Sequence, residues 1–537
     1  MTEARHRKFW GWGYEDAEPS ADELAPLTAL VEARFGGGGL APVAAPRIAD
    51  VEIPPSRVRA PATLAARFET SPRERLGHTY GKSFRDVVRG LRRDFPNPPD
   101  AVAYPSDEAE LAAILDWCDS QRFVAIPYGG GSSVVGGVEA PARDQHAGVI
   151  SIDLGRLDRV LEIDRTSRAA RIQAGVLGPA LEDQLRPHGL TLRHFPQSFE
   201  LSTLGGWIAT RSGGHYATVL THIDDMVECL RVVTPTGVVA TRRLPSSGAG
   251  PSPDRLFVGS EGILGIVTEA WMRLQDRPRF RASTAVSFDD FLHGAEAVRA
   301  IAQAGLMPTN CRLLDPIEAF NSGTSMSGET ILVVGFESAD HPLDAWIARA
   351  LELCGDHGGR FDAGSARTRV ERDGIGDEAV GAWRRAFLRM PYVRDAMARF
   401  GLIAETFETA VTWDRFPELD ARVREATLDA ARRVCGAAEV TCRFTHVYPD
   451  GPAPYYTVLA PSRLDRQLEH WLEIKSAASE AILAAGGTIT HHHSVGRDHR
   501  PWYDRERPAA FAAALAAAKQ SLDPRAILNP GVLVDPR

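Results

Sequence analysis

The chain contains 537 residues and weighs 58.4 kDa. This exceeds the size at which one hydrophobic core stops growing, so two or more domains are expected. Hydrophobic residues make up 44% and charged residues 24%, a balance typical of globular proteins and unlike that of disordered chains. The net charge of −9 argues against a protein that coats nucleic acid, so no nucleic-acid partner is expected.

Three further features of the sequence indicate a compartment. No run of about 18 apolar residues occurs, so no membrane-spanning helix is predicted. The first residues lack the apolar stretch of a signal peptide. Six cysteines lie far apart without a Cys-x-x-Cys pair, which favours a reducing compartment and argues against a disulfide framework or a zinc site. We therefore expect a soluble, cytoplasmic protein.

The elements predicted for the first half of the chain mix helices with many short strands. Residues 36–61 are rich in Gly and Pro and are predicted to form a linker or surface strap. Helices are predicted at 107–118, where apolar residues recur with helical spacing, and at 179–185. Strands are predicted at 123–127, 149–154, 160–164, 170–175, 227–234, 237–240 and 265–274.

The second half of the chain is predicted to alternate long helices with strands. The helices are predicted at 291–304, 343–355, 418–435, 468–485 and 508–522, and the strands at 330–335, 439–448 and 455–460. These elements divide the chain into an N-terminal helical and extended segment (1–97), a first domain (98–279), a second domain (280–500) and a C-terminal segment (501–537) that packs back onto the first domain.

The clearest local pattern is the Gly-rich loop at 127–137, which directly follows a predicted strand. Consecutive glycines let backbone N–H groups converge on an anion, and two serines add hydroxyl donors. The loop lacks the Gly-Lys-Ser/Thr of a Walker A motif and the Gly-x-Gly-x-x-Gly of a Rossmann fingerprint. A flexible surface loop is the alternative interpretation.

Two more Gly-rich segments, at 201–214 and 257–269, follow in the same strand-rich region. In this order and spacing the three segments resemble the flavin-binding domain of the vanillyl-alcohol-oxidase superfamily, also called the p-cresol methylhydroxylase type. The resemblance implies a two-domain α+β flavoprotein with an FAD-binding domain at 98–279 and an α/β cap domain at 280–500. It also implies FAD with its pyrophosphate on the 127–133 loop. Since this loop contains no His or Cys, the residues that carry a covalent flavin in some relatives, non-covalent FAD is expected.

A histidine triplet, His491, His492 and His493, precedes a Ser-Val-Gly sequence. In a strand, His491 and His493 would share one face and His492 would lie on the other. No metal site is predicted, because no carboxylate or Cys motif with metal-ligand spacing lies nearby. A solvated loop is one alternative, and acid–base or substrate-positioning histidines in a buried pocket are favoured over it.

The triplet and its surroundings resemble the alkyldihydroxyacetonephosphate synthases over nearly the whole chain. Further matching stretches are 10–14, 194–207, 311–315, 405–414 and 442–448. The resemblance implies that acyl-dihydroxyacetone phosphate and a fatty alcohol are converted into alkyl-dihydroxyacetone phosphate and a fatty acid, through a flavin N5 adduct without net redox. It also implies a lipid substrate, a peripheral contact with a membrane that supplies it, and a homodimer.

The resemblance assigns catalytic roles to single residues. Tyr455 falls on the acid–base tyrosine, with Tyr456 as the fallback, and it acts together with the histidine triplet. Arg443 falls on the arginine that binds the substrate phosphate, and Arg312 on a second essential arginine. An ordinary salt bridge is the alternative for each arginine, and a packed aromatic ring is the alternative for the tyrosine.

The FAD contacts are carried over in the same way, and His194 matches a histidine beside the flavin. The residues implied to bind the cofactor are Pro127, Tyr128, Gly129, Gly130, Gly131, Ser132, Ser133, His194, Gln197, Ser198, Ser202, Thr203, Thr210, Arg211, Ser212, Gly213, Glu261, Gly262, Ile263, Leu264, Gly265, Ile266 and Val267.

Three departures from the synthase pattern keep a second function open. Gln197 replaces a carboxylate near the flavin, the segment 212–216 lacks two lysines, and the tail 523–531 is closer to that of D-lactate and glycolate oxidoreductases. The alternative function is therefore an FAD-dependent 2-hydroxyacid dehydrogenase or oxidase. A flavin-binding protein without catalytic activity is a third interpretation.

Overall fold

The computed structural model of the protein describes residues 5–36, 42–362, 364, 366, 368–370 and 378–535, so residues 37–41 of the predicted strap lie outside it. Within the described residues, the α-helices are α1 (Ala21–Phe35), α2 (Pro72–Gly77), α3 (Phe84–Leu91), α4 (Glu108–Gln121), α5 (Gly178–Leu185), α6 (Leu204–Thr210), α7 (Asp254–Phe257), α8 (Phe291–Gln303), α9 (Pro316–Asn321), α10 (Asp344–Asp356), α11 (Glu378–Arg399), α12 (Phe416–Cys435), α13 (Gln467–Ala484), α14 (Arg500–Glu506) and α15 (Ala509–Leu522).

The strands alternate with these helices along the whole chain, which confirms the α+β prediction. They are β1 (Phe68–Glu69), β2 (Ala101–Ala103), β3 (Val124–Tyr128), β4 (Val149–Asp153), β5 (Val160–Asp164), β6 (Ala169–Gln173), β7 (Leu190–Thr191), β8 (Val227–Thr234), β9 (Gly237–Ala240), β10 (Ile266–Arg273), β11 (Gln275–Asp276), β12 (Phe280–Phe288), β13 (Asn310–Leu314), β14 (Thr330–Ser338), β15 (Arg369–Val370), β16 (Leu402–Glu408), β17 (Glu439–Val447) and β18 (Pro452–Pro461).

Helix α4 shows how the local sequence fixes an element. The Asp107 side chain accepts a hydrogen bond from the N–H of Glu110 and caps the first turn. Leu111, Ile114 and Leu115 recur with helical spacing and are fully buried. Burial of side chains of this size contributes about 1.5–3 kcal/mol each. The predicted helix at 107–118 is therefore confirmed, with its end three residues later than expected.

The first region holds two sheets and a two-stranded ribbon, β7 with β11. In the four-stranded sheet, of order β1-β2-β4-β3, strands β2, β4 and β3 run parallel. The five-stranded sheet, of order β5-β6-β10-β8-β9, is antiparallel. The end of the chain returns to β3, where the Ala125 N–H donates to the Ile527 oxygen at 2.9 Å and the Ala125 oxygen accepts from Asn529 at 3.0 Å. This contact fixes the strand from which the Gly-rich loop leaves.

The second region is built on a seven-stranded antiparallel sheet of order β15-β12-β14-β13-β17-β18-β16. In its register Tyr455 on β18 lies between Arg443 on β17 and Glu408 on β16. Because neighbouring residues of a strand point to opposite faces, Tyr455 and Tyr456 are directed to opposite sides of this sheet.

Two large hydrophobic clusters form the core. One combines the first region with the C-terminal tail and includes Ile150, Trp207 and Leu528. The other combines the second sheet with N-terminal residues such as Trp10 and Phe84. The boundaries of the four predicted segments stay predictions. In the described part of the chain, no helix has the length and apolar character needed to cross a membrane.

Candidate functional site

A cavity of about 530 Å³ lies between the Gly-rich turns of the first region and the seven-stranded sheet. This volume is typical of sites that bind small molecules. Its wall contains most of the predicted site residues: Pro127, Tyr128, Gly129, Gly130, Gly131, Ser132, Ser133, Gln197, Ser198, Thr203, Thr210, Ser212, Gly213, Glu261, Gly262, Gly265, Ile266, Val267, Arg312, Arg443, Tyr455, His492 and His493.

The loop after β3 can be built only from glycine at three consecutive positions. A Cβ atom at Gly129 would lie 2.2 Å from the Thr203 hydroxyl, and one at Gly130 would lie 1.7 Å from the Leu201 oxygen. Gly131 has a φ of 64°, a value that residues other than glycine rarely adopt. The glycines therefore allow the loop to pack directly against residues 201–203, and this joins two of the three predicted segments.

The third segment, at 261–267, joins the same wall through a tight turn. Glu261 and Gly262 both have positive φ values, of 47° and 76°, and a Cβ atom at Gly262 would lie 2.7 Å from the Pro127 ring. The buried Glu261 carboxylate accepts hydrogen bonds from the N–H groups of Val495 and Gly496, both at 2.9 Å. Burial raises the pKa of Glu261 to about 7. This carboxylate therefore links the turn to the segment that carries the histidine triplet.

Three residues predicted to contact the cofactor do not line the cavity, because their side chains are used elsewhere. Ile263 and Leu264 are fully buried in the hydrophobic core of the first region. Arg211 ends α6 in a left-handed conformation, and its side chain is 57% exposed and pairs with Asp224 at 3.1 Å. These residues were predicted to be in the site from their position in the sequence. In the structure their side chains are directed away from the cavity.

His194 and Ser202 also lie behind the wall rather than in it. The Ser202 hydroxyl accepts a hydrogen bond from the Trp207 indole at 2.7 Å. His194 packs against the same indole, with ring centroids 5.0 Å apart, and its Nε2 atom lies 3.3 Å from the Ser212 hydroxyl. Burial lowers the pKa of His194 to about 3, so this imidazole is neutral at pH 7. Both residues support the cavity wall from outside.

This end of the cavity fits a dinucleotide cofactor. Its wall consists of three glycine-rich turns together with the hydroxyl-bearing residues Ser132, Ser133, Ser198, Thr203 and Thr210. Backbone N–H groups and hydroxyls of this kind bind phosphate. The glycines allow these turns to pack directly against neighbouring segments of the wall. Non-covalent attachment of the cofactor stays a prediction.

At the opposite end, the seven-stranded sheet contributes Arg312, Arg443 and Tyr455. The Arg443 guanidinium lies 4.2 Å from the centroid of the Tyr455 ring. It also forms an ion pair with Glu318 of α9, which accepts a hydrogen bond from the Thr441 hydroxyl at 2.6 Å. Burial, together with the charge of Arg443, lowers the pKa of Arg312 to about 9. Two arginines therefore lie at this end of the cavity, where their guanidinium groups suit an anionic ligand.

The two neighbouring tyrosines have different environments. Tyr455 lines the cavity, and burial raises its pKa while Arg443 opposes the shift. Tyr456 is fully buried on the other face, where its hydroxyl donates to Asp420 at 3.0 Å. The first choice, Tyr455, is therefore the phenol with access to the cavity, and the fallback is not.

The histidine triplet is wrapped around a buried carboxylate, Glu408. The N–H groups of His492 and His493 donate to Glu408 at 3.1 and 2.8 Å, and the N–H of His491 donates to its other oxygen. The Thr490 hydroxyl adds a hydrogen bond at 2.8 Å. Burial disfavours the charged form of Glu408, but the neighbouring imidazoles and the Thr490 hydroxyl hold its pKa well below the usual value. Glu408 is therefore an anion, and its carboxylate holds the backbone of the triplet in place.

The rings of the triplet are not equivalent. His492 and His493 line the cavity, whereas His491 does not. The His492 ring stacks on Tyr455 with centroids 6.1 Å apart, and burial lowers its pKa to about 3. His446 approaches from β17, and His446, His491 and His492 together have ring nitrogens within 4.8 Å of one another. The predicted absence of a metal stays a prediction.

Two residues important to the site were missed in the sequence. Glu408 lies within the matching stretch 405–414, but nothing in its spacing relates it to a triplet more than 80 residues away. Glu318 lies in α9 and reaches Arg443 across 125 residues. Both are buried carboxylates that accept several hydrogen bonds, and only the folded sheet brings them to their partners.

Comparison with known proteins identifies the family. Residues 99–242 match the model of an FAD binding domain, and residues 277–533 match that of the C-terminal domain of FAD linked oxidases. The chain is 30% identical over 486 residues, 86% of this chain and 77% of the relative, to alkyldihydroxyacetonephosphate synthase of Dictyostelium discoideum. The chain belongs to the alkyldihydroxyacetonephosphate synthase family.

Solved structures agree with this assignment. An alkyldihydroxyacetonephosphate synthase structure has a TM-score of 0.80 and 25% identity, with 98% of each chain covered. A p-cresol methylhydroxylase structure has a TM-score of 0.69 at 14% identity, with 88% of this chain and 95% of that chain covered, and it shows the fold alone. The two-domain vanillyl-alcohol-oxidase-type fold and the FAD cofactor are thereby confirmed, and the chain is an FAD-dependent enzyme.

Proposed function

We propose that this enzyme exchanges the acyl group of acyl-dihydroxyacetone phosphate for a fatty alcohol and so forms an ether lipid precursor without net redox. The observation that carries the proposal is the pair of arginines at one end of the cavity. Arg312, Arg443 and Tyr455 lie together on the seven-stranded sheet, opposite the FAD-binding turns. A phosphorylated substrate supplies an anion for these arginines, and arginine matches phosphate with a fixed fork of donors.

Between its polar ends the cavity has apolar walls that suit a long acyl or alkyl chain. The side chains that provide them are Leu314, Met390, Val393, Met397, Ala404 and Leu459. Met390 lines the cavity and is also 45% exposed, so the apolar wall continues to the protein surface. A fatty chain can therefore enter while its phosphate reaches the arginines.

The residues of the protein have separate roles in binding and in proton transfer. Arg443 and Arg312 hold the phosphate, and Glu318 orients Arg443 before the substrate binds. Tyr455 transfers protons at the reacting carbon, and His492 and His493 lie beside its ring. The three Gly-rich turns would hold FAD, which would supply the reactive isoalloxazine ring. Groups placed in this way typically accelerate proton transfer about 10²–10⁴-fold.

We also propose that the enzyme is cytoplasmic, forms a homodimer and contacts a membrane peripherally to collect its substrates. The membrane contact is supported by exposed apolar side chains near the cavity: Met390 itself, and Ile317 and Met326 on either side of the cavity-lining residues Asn321 and Ser322. Co-sedimentation with vesicles tests the contact, and sedimentation equilibrium tests the dimer. A monomer that stays in the supernatant would contradict both proposals.

The function is tested with a labelled long-chain alcohol and unlabelled acyl-dihydroxyacetone phosphate. We expect the label to enter a phosphate-containing lipid that survives mild alkali, because an ether resists hydrolysis that cleaves an ester. Label that remains in free alcohol, or that is released by alkali, would contradict the proposal. Arg443→Lys is the matched variant, since it keeps the charge and loses the fork. We expect it to retain FAD but to bind the substrate weakly.

A further inference from the structure

A chain of hydrogen-bonding side chains leads away from the main cavity through the first residue of the triplet. The Nδ1 atoms of His491 and His492 are 3.0 Å apart. The Nε2 atom of His491 lies 2.8 Å from the Tyr448 hydroxyl and 3.1 Å from the Nε2 atom of His222. The Tyr448 hydroxyl in turn lies 3.0 Å from the Thr221 hydroxyl. All of these distances are within hydrogen-bonding range.

Two residues of this hydrogen-bonded series line different cavities. His492 lines the main cavity. Tyr448 lines a second cavity of about 820 Å³, whose other walls include the exposed residues Thr412, Asp450 and Arg505. His491 lines neither cavity. His491 therefore connects His492, at the main cavity, with the hydroxyl of Tyr448.

One backbone carbonyl determines where the protons of the chain reside. The Nδ1 atom of His222 lies 2.9 Å from the Arg211 oxygen. Because a carbonyl only accepts, Nδ1 of His222 carries a proton, and its Nε2 atom is then the acceptor that faces His491. His491 must then carry its proton on Nε2 and accept at Nδ1. His492 consequently donates from Nδ1 and keeps a lone pair at Nε2.

We propose that His492, His491 and Tyr448 form a proton relay from the main cavity to the second cavity, with His222 as the positioning residue that sets its direction. The relay rests on the proposed function, in which a substrate proton must leave the cavity. His492 Nε2 accepts that proton while its Nδ1–H passes to His491. His491 releases its Nε2–H to the Tyr448 oxygen, and Tyr448 releases its own O–H toward Thr221 or water in the second cavity. Each group gains one proton and loses one, and the same transfers in reverse return a proton to the cavity.

The chemistry of the neighbouring groups favours this route. Burial raises the pKa of Tyr455, so its phenol stays protonated at neutral pH and serves as the proton donor, while a second group accepts. Burial lowers the pKa of His492 to about 3 and that of His491 well below its usual value, so both imidazoles are neutral at pH 7 and each has one ring nitrogen that can accept a proton. The Glu408 carboxylate lies 3.9 Å from Nδ1 of His492, which is too far for a hydrogen bond. His491 is therefore the acceptor for His492.

The proton positions can be measured without any substrate. We expect the ¹⁵N spectrum of [¹⁵N]histidine-labelled holoenzyme to show His491 protonated at Nε2 and His492 protonated at Nδ1. Spectra of His491→Gln and His492→Gln variants assign the signals. The reverse tautomers, or charged imidazoles at pH 7, would overturn the relay, and this result does not depend on what reaction the enzyme catalyses.

Kinetics of Tyr448→Phe provide the second test, with Tyr104→Phe as the matched control. Tyr104 is a partly buried phenol that donates to Glu74 outside both cavities. We expect Tyr448→Phe to lower kcat about 10-fold or more, to leave KM within about twofold and to enlarge the solvent deuterium isotope effect. A kcat and isotope effect equal to those of Tyr104→Phe would overturn the relay. Failure of the wild-type enzyme to make the ether would instead overturn the proposed function.

Discussion

Replacing each of two adjacent tyrosines with phenylalanine separates catalysis from stability. Tyr455 lines the cavity beside Arg443 and His492, whereas Tyr456 is fully buried and donates to Asp420 at 3.0 Å. Tyr455→Phe keeps the ring and its packing and removes only the hydroxyl. We therefore expect a folded, FAD-containing variant whose kcat falls about 10²–10⁴-fold. This loss corresponds to about 2.7–5.4 kcal/mol in the activation barrier.

Tyr456→Phe should have the opposite profile. A hydrogen bond to a charged group contributes about 1.5–3 kcal/mol to stability, and Asp420 retains its contact with Arg424 at 2.9 Å. We expect this variant to unfold at a lower temperature than Tyr455→Phe and to keep near-wild-type kcat. The assays are thermal unfolding followed by circular dichroism and turnover measured at saturating substrate. If Tyr456→Phe loses activity while Tyr455→Phe keeps it, the assignment of the acid–base residue is wrong.

Three more predictions follow from the walls of the cavity. Gly130→Ala places a Cβ atom 1.7 Å from the Leu201 oxygen, so the loop must move, and the purified variant should show a lower flavin-to-protein absorbance ratio; an unchanged ratio would contradict the loop assignment. Acid precipitation of wild-type protein should release the yellow cofactor into the supernatant, because the 127–133 loop has no His or Cys; colour retained in a washed pellet would show a covalent link. Glu408→Ala leaves several buried donors unpaired, at about 1–3 kcal/mol each, and should destabilise more than Glu408→Gln, which retains one acceptor oxygen. The pKa of Glu408 is lowered in the folded state. Its charge therefore contributes fully to stability above the unfolded-state pKa of about 4.3, and this contribution is lost as pH falls toward the folded-state pKa. Chemical unfolding at several pH values should therefore show that the difference in the free energy of unfolding between wild type and Glu408→Gln becomes smaller in acid. A difference that does not change with pH would contradict a charged Glu408.

The parts of the site that the sequence predicted well are those with local causes. The Gly129–Gly131 run is required by close packing and a positive φ at one position, and these demands are visible as consecutive glycines. The choice of Tyr455 over Tyr456 came from the family resemblance, and the alternation of a strand is the local reason why Tyr455 lines the cavity and Tyr456 does not. Helices such as α4 follow from apolar spacing and a capping residue. In each case residues close in sequence determine the outcome.

The parts that the sequence did not predict depend on contacts between distant residues. Arg211 was expected at the cofactor because its neighbours are there, but the left-handed turn at the end of α6 directs it to Asp224. Glu408 and Glu318 become recognisable only when the seven-stranded sheet places them beside the triplet and Arg443. Periodicity and motif spacing carry no information about such pairs.

The most direct test of the account is a stoichiometric assay of the purified holoenzyme without any electron acceptor. We predict that acyl-dihydroxyacetone phosphate and a fatty alcohol yield one fatty acid released for each alkyl-dihydroxyacetone phosphate formed, as measured by mass spectrometry. The same preparation should not reduce a dye when it is given lactate or glycolate. Dye reduction by a 2-hydroxyacid, with no ether product, would contradict the account and identify the enzyme as a dehydrogenase.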